Sequence, residues 1–152
     1  MLRIGICDDD PHMLNHLSAL CTKILPEAVV TEYRSGMEFL SSTGSFELIL
    51  MDVRMEGMDG LNVIRQLQNR IPENTTNSPA VIFITAYDEY VFEALDLFPF
   101  HYLLKPLDEV KFEKILKHAA ERYEKKEKEE AVFFIQNPPF AYLSQGYLLC
   151  GE

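Results

Sequence analysis

The sequence predicts an α/β domain built on a doubly wound, five-stranded parallel sheet. Short apolar runs alternate with amphipathic helical stripes five times along the chain. That alternation argues for a parallel sheet with helices on both faces. The runs are continuously apolar, as strands buried on both faces must be. The informative polar residues, Asp8, Asp9, Asp52, Thr85 and Lys105, all stand at the carboxyl ends of such runs.

Leu2 to Cys7 reads as the first strand, stopped by Asp8-Asp9-Asp10. Pro11 suits the first turn of a helix capped by Asp10, with Met13, Leu17, Leu20 or Cys21, and Ile24 at helical spacing. Val29 to Tyr33 is the second strand, and Ser35-Gly36 opens a short helix through Phe39 and Leu40. Leu48 to Met51 is the third strand, ending at Asp52. Gly57 and Gly60 mark a loop, and Leu61, Ile64, Leu67 and Ile71 form the next stripe. Pro72 to Pro79 is polar and turn-rich. Ala80 to Ile84 is the fourth strand, ending at Thr85; Tyr90 to Leu97 reads as helix, closed by Pro99. Phe100 to Leu104 is the fifth strand, ending at Lys105-Pro106. Asp108 can cap a last helix carrying Phe112, Ile115, Leu116, Ala119 and Tyr123. The mixed-charge run Glu121 to Glu130 reads as a solvated helix end passing into a linker.

The chain has 152 residues, 47% of them hydrophobic and 25% charged, which suits one soluble domain with a proper core. Its net charge of -10 disfavours phosphate backbones and anionic membrane surfaces as direct partners. Cys7, Cys21 and Cys150 are odd in number and form neither a disulfide framework nor a metal knuckle, so a reducing cytosol is expected. No apolar run approaches the ~20 residues of a membrane span, and Met1-Leu2-Arg3 leads straight into a strand without a signal-peptide pattern.

In open parallel sheets the carboxyl ends of the strands share one edge, and ligands bind in the crevice there. Asp8, Asp9, Asp52, Thr85 and Lys105 should therefore meet. Several carboxylates at one point cannot all stay ionised without compensation. A hard divalent cation is the usual remedy, and Mg²⁺ fits an all-oxygen site that keeps several waters. Phosphoryl transfer spreads charge over three equatorial oxygens, and each needs an electrostatic partner. The metal can take one, Lys105 a second, and Thr85 with a backbone N–H the third. Asp52 is then the nucleophile that becomes an acyl phosphate.

These residues resemble the response-regulator receiver family over roughly residues 2 to 122. The motifs are Asp8-Asp9, the run Leu48 to Met55 around Asp52, Gly57-Met58-Asp59-Gly60, Thr85-Ala86, and Tyr102-Leu103-Leu104-Lys105-Pro106. The resemblance implies strand order 2-1-3-4-5. It implies Asp52 as phosphoacceptor for a sensor histidine kinase. Asp9, Asp52 and the backbone carbonyl of Arg54 would bind Mg²⁺, with Asp8 acting largely through water. Lys105 would contact the phosphoryl group, Thr85 and Tyr102 would form a switch pair, and the Lys105-Pro106 bond would be cis. Such a domain is a phosphoacceptor that assists its own phosphoryl transfer and autodephosphorylation, rather than an enzyme. It is cytoplasmic and switches an output or homodimer surface on helix four, strand five and helix five.

Asp88-Glu89-Tyr90 and Glu93-Ala94-Leu95 are similar to the subfamily that carries a LytTR-type DNA-binding domain and controls transcription. The expected division is a receiver at 1–122, a charged helical linker at 123–130, and a truncated output domain or short tail at 131–152. Val132 to Ile135 could open a first output strand, and Tyr147 to Cys150 could be another fragment. Residues 131–152 contain no Lys or Arg, so direct nucleic-acid binding by this segment is not expected. Two departures stand out. Glu56 replaces a common proline, which should loosen the loop after Asp52 without touching the chemistry. His101 replaces a common aspartate before Tyr102.

Other residues carry plainer readings. Cys7 lies in an apolar strand, where cysteine behaves as a small hydrophobe. His12 and His16 lack an evident third metal ligand. Tyr87 and Arg54 should flank the mouth of the site, where they can tune water access. Phe92, Phe98 and Phe100 are read as core or as part of a dimer face. Two rival functions exist: a receiver-like interaction module without phosphoryl turnover, and a haloacid-dehalogenase-type phosphatase using Asp8. The latter leaves Asp52 unexplained. A dinucleotide-binding domain lacks its GxGxxG after strand one.

Overall fold

A computed structural model of the chain describes residues 1–72 and 78–136. It contains β1 (Arg3–Cys7), α1 (Pro11–Ile24), β2 (Val29–Tyr33), α2 (Gly36–Ser41), β3 (Leu48–Met51), α3 (Gly60–Arg70), β4 (Ala80–Thr85), α4 (Val91–Leu95), β5 (His101–Leu104) and α5 (Glu109–Gln136). The sheet is five-stranded and parallel in the order β2-β1-β3-β4-β5.

Strand side chains alternate between faces, and both faces are covered. Ile4, Ile6, Leu48, Leu50, Ile82, Ile84 and Leu103 pack against Leu14, Leu17 and Cys21 of α1 and Phe112, Ile115 and Leu116 of α5. Cys7, Ile49, Met51, Val81 and Phe83 point the other way, onto Phe39 and Leu40 of α2, Val63 and Ile64 of α3, and Ala94 of α4. The central strands β1, β3 and β4 are buried on both faces, so their polar residues fall at or just past their ends.

Local capping starts the helices close to those ends. The Asp10 side chain accepts from the His12 N–H at 3.0 Å, with Pro11 in the first turn, where its missing N–H costs nothing. Ser35 accepts from the Glu38 N–H at 3.1 Å and Asp59 from the Asn62 N–H at 2.9 Å. Asp108 accepts from the N–H groups of Val110 and Lys111. Each cap replaces a partner that the first turn lacks and contributes about 1 kcal/mol.

The chain divides into two units, Met1–Ala119 and Ala120–Glu152. The first holds the sheet. In the second, residues 120–136 are helical, continuing α5 through the mixed-charge run to Gln136. Val132 to Ile135, read as a possible opening strand, are helical. Extending an existing helix by one residue adds a hydrogen bond without a new nucleus. That advantage overrides the strand preference of a Val-Phe-Phe-Ile run. The stretch Tyr147 to Cys150 lies outside the described residues, as do residues 73–77 of the turn-rich segment.

Candidate functional site

The strand order reverses at β1: β2 lies on one side of it, and β3, β4 and β5 follow on the other. The crevice at the carboxyl edge opens at such a reversal. Cys7 of β1 is in register with Met51 of β3, so Asp8 and Asp52 emerge side by side. The Asp52 N–H donates to the Cys7 carbonyl at 3.0 Å, and the Asp8 N–H to the Tyr33 carbonyl at 3.1 Å. Thr85 is in register with Leu104, and the Lys105 N–H donates to the Thr85 carbonyl at 2.8 Å.

One carboxylate oxygen from each of Asp8, Asp9 and Asp52 lies within 4.8 Å of the others. Asp8 and Asp52 are 1% and 6% exposed, whereas Asp9 is exposed. The Lys105 ammonium stands between the buried pair, 2.9 Å from Asp8 Oδ2 and 3.4 Å from Asp52 Oδ2. Asp8 Oδ1 accepts from the Asp10 N–H at 2.9 Å, so both Asp8 oxygens are engaged. Asp9 Oδ2 accepts from the Glu56 N–H at 3.1 Å.

Burial pushes the Asp52 carboxyl up to about 6, the Asp8 charge pushes the same way, and Lys105 opposes both. For Lys105, burial pulls downward, but hydrogen bonding to Asp8 and the Asp52 charge outweigh it and hold the ammonium above its ordinary value. Thr85 is fully buried. Its hydroxyl lies near enough to Asp52 to act on its titration, yet makes no well-formed hydrogen bond. A buried hydroxyl without a partner costs on the order of 1–3 kcal/mol.

Gly60 sets the distance between α3 and the acceptor strand. A Cβ there would lie 1.9 Å from the Asp52 carbonyl oxygen, so only glycine fits. The Gly60 N–H donates to the Val53 carbonyl at 2.8 Å.

The mouth is lined by a small aromatic clasp. The Arg54 guanidinium lies 4.9 Å from the centre of the Tyr87 ring and donates to the Tyr90 hydroxyl at 3.2 Å. The Tyr102 hydroxyl donates to the Tyr87 carbonyl, and its ring packs 6.1 Å from that of Phe83. Burial, with Asp88 next, pushes the Tyr102 hydroxyl up to about 12, so it stays a donor at neutral pH. The Lys105-Pro106 peptide bond is cis.

Asp8, Asp9, Asp52, Thr85 and Lys105 thus meet at one edge, with Arg54, Tyr87 and Tyr102 at its rim. Sequence reasoning missed Tyr90 as the third member of the clasp. It also missed the Glu56 N–H, which ties the loop to Asp9 where a looser loop was expected. Cys7 is buried, and burial lifts its thiol to about 12, which leaves it unreactive. His16 pairs with Glu109 at 3.4 Å, and neither it nor His12 joins a metal-type cluster among the described residues. Phe100 packs on the core, whereas Phe92 and Phe98 are 83% and 90% exposed.

Hard carboxylate oxygens, a shared lysine and an unpartnered buried hydroxyl are a donor set that suits a divalent cation beside a phosphoryl group. A doubly wound sheet carrying this edge defines a phosphoacceptor signalling domain. The chain belongs to the response regulator receiver domain family, whose model matches residues 4–117. It is 30% identical over 118 residues to the transcriptional regulatory protein BtsR of Escherichia coli, covering 76% of this chain and 47% of that one. It is 34% identical over 122 residues to the positive alginate biosynthesis regulatory protein of Pseudomonas aeruginosa, covering 78% and 47%. The chain therefore spans about half the length of these relatives. Its fold matches the response regulatory domain of protein MrkE from Klebsiella pneumoniae with a TM-score of 0.73 at 22% identity, covering 82% of this chain and 99% of that one. No helix among the described residues is long and apolar enough to cross a membrane.

Proposed function

We propose that Asp52 accepts a phosphoryl group from a sensor histidine kinase, and that the resulting acyl phosphate switches a surface of the domain. The observation that carries this reading is the placement of two unlike donors beside Asp52, the Lys105 ammonium at 3.4 Å and the buried Thr85 hydroxyl, which has no hydrogen-bond partner. A purely structural ion pair needs no idle hydroxyl. Asp8, the rival nucleophile, has both oxygens already engaged.

In the transfer, an Asp52 oxygen attacks the phosphorus of a phosphohistidine. A P–O bond forms and the P–N bond breaks. The departing imidazole keeps the electron pair and takes a proton. Lys105 neutralises one phosphoryl oxygen and Thr85 donates to another. Mg²⁺ at Asp9, Asp52 and the Arg54 backbone carbonyl, with Asp8 acting through water, would supply neutralisation of the remaining charge. Asp9 and Asp8 hold the edge negative enough to retain such an ion.

The switch runs through Thr85 and Tyr102. A ligand shifts an equilibrium only if it binds one state better, and a phosphoryl group held by Thr85 in one state meets that condition. Phe92, Leu95, Leu104 and Val110 expose apolar surface on α4, β5 and α5, which suits a homodimer face. The protein works in the cytoplasm. Transcription control fits the name of the BtsR relative and the half-length match, and a LytTR-type output domain fits the resemblance at Asp88-Glu89-Tyr90 and Glu93-Ala94-Leu95. With a net charge of -10, this segment does not bind nucleic acid itself.

Incubation with acetyl phosphate or a kinase and Mg²⁺ tests the acceptor. Asp52→Asn should abolish the acid-labile label, because an amide is not nucleophilic. Label persisting on Asp8 overturns the reading.

A further inference from the structure

His12 and His16 stand four residues apart within α1, so their side chains share one face of that helix, with Cβ atoms about 5–6 Å apart. Both are exposed. The sequence shows this pair no third ligand; the fold supplies one. α1 and α5 lie on the same face of the sheet, where Leu14, Leu17 and Cys21 pack with Phe112, Ile115 and Leu116. Glu109, the first residue of α5, thereby meets His16, with Oε2 3.4 Å from Nε2. The two side chains stay 44% and 57% exposed, so an ion reaches them from solvent. Asp10 caps α1 and Asp108 caps α5, and these carboxylates offset the positive helix ends that would otherwise repel a cation.

We propose that His12, His16 and Glu109 form a second cation site, for a transition-metal ion such as Zn²⁺, which ties the first turns of α1 and α5 together. Two imidazoles and one carboxylate, with water in the fourth position, make a tetrahedral set for Zn²⁺. The same set is a poor one for Mg²⁺ or Ca²⁺, which take oxygen ligands. The site shares no residue with Asp8, Asp9 and Asp52. Those three already offer oxygens within 4.8 Å of one another, whereas the donors of His12, His16 and Glu109 are not gathered so closely. Gathering them takes a turn of exposed side chains about their own torsions, with both helix backbones in place. Only the folded chain brings Glu109 to the histidine pair, so a bound ion favours the folded state.

Zn²⁺ is titrated into the 152-residue protein with Mg²⁺ in excess, and the imidazole resonances of all four histidines, His12, His16, His101 and His118, are followed by NMR. Those of His12 and His16 should move together and saturate, while His101 and His118 stay in place. Because the readout belongs to the site, Zn²⁺ taken up at the acidic edge does not confuse it. The affinity seen at His16 should fall by at least about 10-fold in His12→Ala, and likewise in Glu109→Gln, since each removes a direct ligand. His118→Ala should match the wild type. These positions are exposed, and thermal melts confirm that each variant folds. Four histidines shifting alike, His12 and His16 unmoved by Zn²⁺, or an unchanged affinity at His16 in either His12→Ala or Glu109→Gln would each overturn the proposal.

Discussion

The Tyr102 hydroxyl is hydrogen-bonded to the backbone carbonyl of Tyr87, two residues beyond Thr85. That bond connects β5 to the loop that follows Thr85, the last residue of β4. In the proposed switch, movement of Thr85 toward a phosphoryl oxygen would draw Tyr87 along and reshape the contact. Tyr102→Phe removes only the hydroxyl, a loss of about 0.5–1.5 kcal/mol in a net hydrogen bond. It should leave Asp52 phosphorylation nearly intact and change phosphorylation-linked dimerisation. Sedimentation with beryllofluoride and Mg²⁺ checks this; equal dimerisation in both proteins would remove Tyr102 from the switch.

The raised Asp52 carboxyl makes stability pH-dependent without metal. Its folded value of about 6 lies above the ordinary 3.8, so the folded state binds the extra proton. The stabilisation is complete below about pH 4 and is lost as pH rises through about 6. Asp52→Asn, neutral throughout, should flatten this slope and stabilise the metal-free protein at pH 7 by about 1–3 kcal/mol. Urea denaturation in EDTA at pH 4 and pH 7 measures it. A pH 4 to pH 7 change in stability that is the same in wild type and Asp52→Asn contradicts the assignment.

Gly60→Ala places a methyl group 1.9 Å from the Asp52 carbonyl oxygen. Backbone cannot yield as a flexible side chain can. The substitution should cost at least about 2 kcal/mol and weaken Mg²⁺ binding by displacing Asp52. A melt within a degree of wild type would show that α3 can retreat freely.

Arg54 is exposed, so its clasp on Tyr87 and Tyr90 contributes little to stability. Its effect should fall on kinetics. Arg54→Ala opens the rim above Asp52 to water, and the acyl phosphate should decay several-fold faster while thermal stability barely changes. Decay of radiolabelled phosphoprotein decides it, and an unchanged half-life excludes the clasp from water access.

The fold was largely legible because its signals are side-chain signals. Ile4 to Cys7 and Leu48 to Met51 are apolar at every position but Gly5, which only a doubly covered strand tolerates. Asp10 and Asp108 stand where caps belong. Asp8, Asp9, Asp52, Thr85 and Lys105 were legible by the same logic, as polar residues forced to strand ends. What escaped was carried by backbone or by continuity. The Glu56 N–H is a donor that every residue but proline owns, so the side chain at position 56 gave no hint of the bond to Asp9. Val132 to Ile135 look like a strand in isolation, and only the helix already running into them decides otherwise. Tyr90 meets Arg54 across 36 residues, a distance that no local pattern spans.

The sharing of Lys105 between Asp8 and Asp52 has a consequence for the order of events. Three carboxylates against one ammonium leave the bare edge with two negative charges at neutral pH, on a chain whose own net charge is -10. A phosphodonor approaching that edge is repelled, and the encounter quickens with ionic strength. One divalent ion brings the edge to neutrality and weakens the local part of that repulsion, while the rest of the chain stays net negative. On the proposed reading, a donor meets less repulsion at the loaded edge than at the bare one, so ion binding should precede productive encounter.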